Sequence, residues 1–98
     1  MTRRLAIIAG VRTPFAKAGT ALKRIHAADL GRAAVAELLA RTPVDPGKID
    51  EVIFGNVGQP SDAANISRVV ALRAGIPEGV PAFTVNRNCA SGMQSITT

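Results

Sequence analysis

Three short apolar runs alternate with three segments of helical pattern, and this alternation constrains the fold more than any other feature of the sequence. The runs occupy residues 5–9, 51–55 and 83–85, and the first two are nearly continuous in apolar side chains, as in strands buried on both faces. A strand followed by a helix, repeated three times, is typical of an α/β layer built on a parallel sheet. We therefore expect an α/β fold with three strands and two to three helices.

The helical segments are delimited by capping residues and by glycine or proline. Asp29 is the expected N-cap of the first helix, which continues to about Ala40. Asp62 or Asn65 is the expected N-cap of the second helix, and Gly75, with a proline just beyond it, is the expected C-terminal cap. The sequence therefore predicts two complete helices and the start of a third.

Length and composition limit the class of protein. With 98 residues, of which 47% are hydrophobic and 19% charged, the chain fits one globular domain and is too short for two. No stretch approaches the roughly 18 uncharged apolar residues of a membrane span, so we expect a cytoplasmic protein without a membrane segment. A single cysteine excludes an internal disulfide and a cysteine-based zinc site, and we predict no metal site.

The charge of the chain is uneven. The formal net charge is +5, but the first 24 residues contain six basic and no acidic side chains, so they carry +6 and leave −1 on the rest. This basic segment lacks the aromatic platforms that nucleic-acid binders use, since the chain has three Phe and neither Tyr nor Trp. We therefore expect no nucleic-acid partner.

The single cysteine, Cys89, follows the third predicted strand where the third helical segment begins. In parallel α/β sheets, ligands bind beyond the carboxyl ends of the strands, where the strand-to-helix loops meet. A thiol at a helix N-terminus is stabilised in its ionised form, Arg87 can add to this effect, and nearby backbone N–H groups can hold an oxyanion. These properties suit acyl transfer. The alternative is a buried structural cysteine, which is common for this residue type.

His26 is the only histidine, and it lies in a predicted loop at residues 11–28. Its context offers no recognisable partner, so we expect a surface or packing role for it. The glycines form neither a dinucleotide fingerprint nor a P-loop, and no phosphate cradle is predicted.

The third helical segment reaches Thr98 after barely two turns. A helix so short cannot cover its face of a sheet, and three parallel strands leave both sheet edges open. We therefore expect residues 1–98 to form a partial N-terminal domain of a longer protein, with the C-terminal half absent.

Four motifs of the sequence resemble the N-terminal part of a thiolase. They are Arg-Thr-Pro-Phe at 12–15, Gly-Asn-Val at 55–57, Ala-Gly-Ile-Pro at 74–77, and Val-Asn-Arg-Asn-Cys-Ala-Ser-Gly-Met-Gln at 85–94. They occur in the family's order over nearly the whole chain, and the segment around Cys89 is the most specific of them.

The resemblance implies a thiolase-like α/β/α sandwich that assembles as homodimers or tetramers, of which this chain holds the first three strands and two to three helices of the N-terminal half. It also implies acyl transfer between CoA and 3-ketoacyl-CoA or acetyl-CoA in fatty acid metabolism, including β-oxidation. CoA and acyl-CoA are then substrates, with no tightly bound cofactor. Cys89 is implied as the nucleophile that carries the acyl group as a thioester, with its backbone N–H as an oxyanion donor.

Two alternatives stay open at this point. A decarboxylating ketosynthase of the same superfamily also places a cysteine at a strand-to-helix turn, and a non-enzymatic module could retain only the scaffold. The family's Gly-His-Pro and Cys-x-Gly motifs, which supply its other catalytic groups, do not occur in these 98 residues. The coding sequence beyond Thr98 would decide between the thiolase, the ketosynthase and the non-enzymatic module.

Overall fold

The computed structural model describes residues 3–98, which form three α-helices and a two-stranded sheet. The elements in chain order are α1 (Ala27–Arg41), a 3₁₀ turn (Pro46–Lys48), β1 (Val52–Gly55), α2 (Ile66–Arg73), β2 (Ala82–Val85) and α3 (Ser91–Thr97). The α/β class expected from the sequence is confirmed.

The two strands run parallel, with Val52 paired to Ala82 and Gly55 paired to Val85. Parallel neighbours need a crossover connection, and α2 supplies it. Helices α2 and α3 both contact the two strands, while α1 packs on α2. Gly31 permits this close packing of the helices, because a β-carbon there would lie 2.7 Å from a methyl group of Val70.

Two small clusters of buried side chains form the core. The first joins the start of α1 to α2 and the sheet, and the second joins α2 to the loop that follows it; their buried members are Ala28, Ala63, Ile66 and Val70, and Ala71, Ile76 and Val80. Small side chains predominate, so stability depends on close approach of the layers rather than on large buried groups.

The prediction of a first strand at residues 5–9 is wrong for this structure. These residues form no ladder with β1 or β2, and the exposed fractions of Leu5 and Ile7 are 95% and 88%. An apolar run supplies only the side chains of a buried strand, whereas a strand also needs a neighbour for its backbone hydrogen bonds. The segment instead lines an open apolar cavity of about 290 Å³ together with Leu38 and Leu39 of α1.

Helix α1 begins three residues earlier than predicted, because His26 rather than Asp29 is its N-cap. The ring Nδ1 of His26 accepts a hydrogen bond from the backbone N–H of Ala28 at 2.9 Å, as a serine or aspartate oxygen does in other helices. Asp29 lies in the first turn instead, where its carboxylate pairs with Arg73 of α2 at 3.3 Å.

Helix α2 begins directly after Asn65, one of the two predicted N-caps, but the Asn65 side chain makes no capping bond. Its amide donates to the carbonyl of Ala82 at 3.0 Å and its oxygen accepts from the hydroxyl of Thr84 at 2.8 Å. The fully buried Ser67 completes this network by donating from its hydroxyl to the carbonyl of Val52 at 3.0 Å. Polar side chains therefore attach the start of α2 to both strands.

The predicted end of α2 at Gly75 is confirmed. Gly75 has a φ of +87°, which favours glycine, and its N–H donates to the carbonyl of Leu72. The next N–H, that of Ile76, donates to the carbonyl of Ala71 at 3.0 Å, which completes a Schellman motif.

Candidate active site

The carboxyl ends of β1 and β2 lie side by side, since Gly55 pairs with Val85 in the register of the sheet. The N–H of Asn56 donates to the carbonyl of Val85 at 3.1 Å, so the contact between the strands continues one residue into the loop. The loops that begin at residues 56 and 86 therefore leave the sheet at the same edge. The sequence predicted that these loops meet beyond the carboxyl ends of the strands, where parallel α/β sheets bind ligands.

Cys89 lies in the tight turn between β2 and α3 at this edge, and its side chain is exposed and not disulfide-bonded. Helix α3 begins at Ser91, so Cys89 precedes the helix by two residues instead of opening it. This exposed position does not match the interpretation of Cys89 as a buried structural residue. Within residues 3–98, the Cys89 thiol is therefore open to solvent at this edge of the sheet.

The turn that carries Cys89 is held by polar groups on both sides of it. Asn88 has a φ of +49°, in the left-handed region that asparagine tolerates better than most residues, and its N–H donates to the side-chain oxygen of Asn86 at 3.0 Å. The N–H of Ala90 donates to the carbonyl of Arg87 at 3.0 Å. The backbone on each side of Cys89 is therefore hydrogen-bonded within the turn.

Ser91 is the buried residue of this turn, with an exposed fraction of 4%. Its hydroxyl accepts a hydrogen bond from the N–H of Arg87 at 2.8 Å and donates one to the carbonyl of Asn88 at 2.7 Å. Sequence reasoning assigned no role to Ser91 or Asn86. The available signal was local, since Asn and Ser side chains in turns commonly form hydrogen bonds with nearby backbone groups.

Gly55 brings the end of β1 into direct contact with the start of α3. A β-carbon at Gly55 would lie closer than 3.0 Å to the carbonyl group of Ser91 and to the backbone nitrogen of Gly92. Only glycine leaves room for α3 to approach the strand this closely. The position of the Cys89 turn relative to the sheet therefore depends on a glycine from a different strand.

Arg87 points along α3, where its guanidinium donates to the side-chain oxygen of Gln94 at 2.6 Å. The sequence suggested that the charge of Arg87 helps to stabilise the ionised form of the Cys89 thiol. The guanidinium is instead engaged with the helix, and its contact with Gln94 connects the turn to the second turn of α3.

His26 has partners that the sequence did not reveal. Besides capping α1, its Nε2 lies 3.1 Å from a carboxylate oxygen of Asp62, in the loop that follows β1. The hydrogen bond from His26 lowers the pKa of the exposed Asp62 carboxyl below its ordinary value of 3.8, with a smaller contribution from the charge of Arg73. Among the hydrogen bonds of residues 3–98, none joins this pair to Cys89.

Residues 3–98 contain no group of three or more His, Cys, Asp or Glu side chains arranged to hold a metal ion. Within the same range, no helix has the length and apolar character that crossing a bilayer requires.

Comparison with known proteins identifies the family. The model of the thiolase N-terminal domain matches residues 5–98. The chain is 46% identical over 93 residues to a 3-ketoacyl-CoA thiolase of Aeromonas salmonicida, which is 95% of this chain and 21% of that protein. The chain therefore spans about a fifth of the length of this curated relative.

Solved structures give the same result for the fold. The crystal structure of the Bacillus anthracis acetyl-CoA acetyltransferase superposes with a TM-score of 0.86 at 42% identity, over 91% of this chain and 23% of that one. A thiolase from Ascaris suum, crystallised in complex with coenzyme A, superposes with a TM-score of 0.84 at 33% identity, over 90% and 23% of the two chains. The chain belongs to the thiolase family, and residues 5–98 are part of its N-terminal domain.

Proposed function

We propose that the protein is a thiolase-type acyltransferase in which Cys89 carries the acyl group as a thioester. The observation that carries this proposal is the placement of Cys89: an exposed thiol in the turn at the carboxyl end of β2, within the segment that matches the family. In the degradative direction, the thiolate attacks the keto carbonyl carbon of a 3-ketoacyl-CoA, and the negative charge moves to the carbonyl oxygen. We assign the backbone N–H of Cys89 as one donor to that oxygen.

The proposed reaction moves an acyl group from a carbon atom to the Cys89 thiol and then from that thiol to CoA. In the degradative direction, Cys89 takes the acyl group of a 3-ketoacyl-CoA as the carbon–carbon bond breaks, and the departing acetyl-CoA carbanion takes up a proton. CoA then attacks the Cys89 thioester, which releases a shortened acyl-CoA and restores the thiol. Both steps need a base and an acid beside the thiol.

The remaining proton-transfer groups are proposed to come from other parts of the enzyme. His26 is the only histidine of the sequence, and both of its ring nitrogens are already engaged, with Ala28 and with Asp62. Because the chain spans about a fifth of its relative's length, we propose that residues 1–98 work as part of a longer polypeptide. The isolated chain should show little or no turnover.

CoA and acyl-CoA are the proposed substrates, and we propose that no cofactor is tightly bound. The coenzyme A complex of the thiolase from Ascaris suum supports this choice of substrate. We further propose that the enzyme takes part in the degradation of fatty acids and works in the cytoplasm. We propose that it assembles as a homodimer or a homotetramer.

Trapping of the acyl group tests the role of Cys89. The complete polypeptide that contains these residues is incubated briefly with acetyl-CoA and digested, and the peptide that contains Cys89 should gain one acetyl group by mass spectrometry. Cys89→Ser should lose both the adduct and turnover, since a serine hydroxyl is far harder to ionise, and its circular dichroism should match that of the wild type. A Cys89→Ser protein with full activity would refute the assignment.

A further inference from the structure

The strongest feature that the proposed chemistry leaves unexplained is the buried hydroxyl of Ser91. Within residues 3–98, Ser91 and Ser67 are the buried polar side chains, and Ser67 is accounted for by its bond to β1. Ser91 lies two residues after Cys89 and makes two hydrogen bonds, at 2.8 and 2.7 Å, to the backbone of the turn. A hydroxyl desolvated to this extent and satisfied on both sides holds its partners in one arrangement.

We propose that Ser91 is a positioning residue, whose hydroxyl holds the 87–90 turn in the geometry that presents the Cys89 thiol. The proposal rests on the thiolase activity proposed above. The Ser91 hydroxyl connects the N–H of Arg87 to the carbonyl of Asn88, so it spans the two residues that immediately precede Cys89. Cys89 itself is exposed, and its position is therefore set by the backbone on either side of it.

One contact and one backbone torsion angle explain why this hydroxyl controls the turn. The backbone of Ser91 packs against Gly55 with no room for a β-carbon, so Ser91 is fixed relative to β1. Asn88 adopts a left-handed φ of +49°, which is less stable than the right-handed conformation for a residue with a side chain. Without the bond to the Ser91 hydroxyl, the turn loses a contact that keeps Asn88 in this conformation, and the thiol moves.

The test compares serine variants in the complete polypeptide. Ser91→Ala should lower kcat by about 10- to 100-fold and leave KM for the acyl-CoA within about twofold, because a misplaced nucleophile impairs the chemical step more than binding. Ser91→Thr keeps a hydroxyl and should restore at least part of kcat. The matched control is Ser95→Ala, because the Ser95 hydroxyl bonds within α3, to the carbonyl of Gly92, and does not touch the turn.

The outcomes separate positioning from a purely structural role. If Ser91→Ala keeps kcat within twofold of the wild type and loses only thermal stability, the proposal is overturned. If Ser91→Ala does not fold, Ser91→Cys decides, because a thiol fills similar space but is a weaker donor and acceptor than the hydroxyl; kcat within twofold of the wild type in Ser91→Cys then rejects the proposal. Turnover that survives Cys89→Ser would instead reject the proposed function, whatever the serine variants show.

Discussion

Replacing Gly55 by alanine is the most direct perturbation of the contact between the sheet and the Cys89 turn. The new β-carbon would lie 2.9 Å from the backbone nitrogen of Gly92 and closer still to the carbonyl group of Ser91. Ordinary contacts begin at 3.4 Å, so the contact with the Ser91 carbonyl group requires α3 to move away from β1 by about 1 Å. These neighbours are backbone atoms, which cannot rotate away as the end of a long side chain can.

The expected costs follow from this displacement. Overpacking of a close contact typically costs about 1–3 kcal/mol, which exceeds the roughly 0.5–1 kcal/mol that alanine gains over glycine in backbone entropy. We therefore expect Gly55→Ala to lower the free energy of unfolding. Catalytic groups must be held within about 0.5 Å of their productive position, so kcat should fall about tenfold or more.

Urea denaturation and steady-state turnover of the complete polypeptide measure the two effects. Gly79→Ala is the matched control, because a β-carbon at Gly79 meets nothing within 4 Å and Gly79 lies in an exposed loop. If Gly55→Ala is as stable and as active as Gly79→Ala, then α3 does not depend on close packing against β1, and the reasoning fails.

Three further predictions concern elements that support the site. Asp62→Asn should lower the free energy of unfolding near neutral pH and have no effect well below pH 3.8. The hydrogen bond with His26 lowers the pKa of Asp62, so its stabilisation is present above the unfolded-state pKa and is lost as the pH falls through the folded-state pKa. Denaturation of both proteins over a range of pH checks this. Gly75→Ala should cost about 1–2 kcal/mol because of the φ of +87°, and equal stability of Gly75→Ala and Gly79→Ala in thermal melts would contradict it. Ser67→Ala should cost about 1–3 kcal/mol, since the first carbonyl of β1 loses a buried donor; urea denaturation beside Ser95→Ala measures this, and equal values would show that Ser67 is dispensable.

Much of the chain could be predicted from local pattern. The strands at 52–55 and 82–85, the end of α2 at Gly75 and the place of Cys89 after the last strand depend on features within a few residues of one another. Apolar runs, glycine with positive φ and the order of elements are properties of short segments, so the sequence predicts them. The thiolase motifs added the chemistry that an isolated cysteine does not specify.

Contacts between distant segments were decided by the tertiary structure. Residues 5–9 have the composition of a buried strand, but whether they form one depends on a partner strand that their own sequence does not describe. His26 caps α1 and bonds to Asp62, 36 residues away, and neither partner is marked by a local pattern. A side chain's role here depends on which groups the fold brings within hydrogen-bond reach.

The same distinction applies to the candidate active site. The order of residues places Cys89 at the carboxyl edge of the sheet, because a parallel strand followed by a turn and a helix leaves few other positions for it. The packing of Ser91 on Gly55 and the two hydrogen bonds of the Ser91 hydroxyl appear only when β1, β2 and α3 are assembled. The sequence by itself determined that Cys89 is the nucleophile candidate. The tertiary structure decided how the turn around Cys89 is held, because close packing and hydrogen bonding depend on distances between segments that come together only on folding.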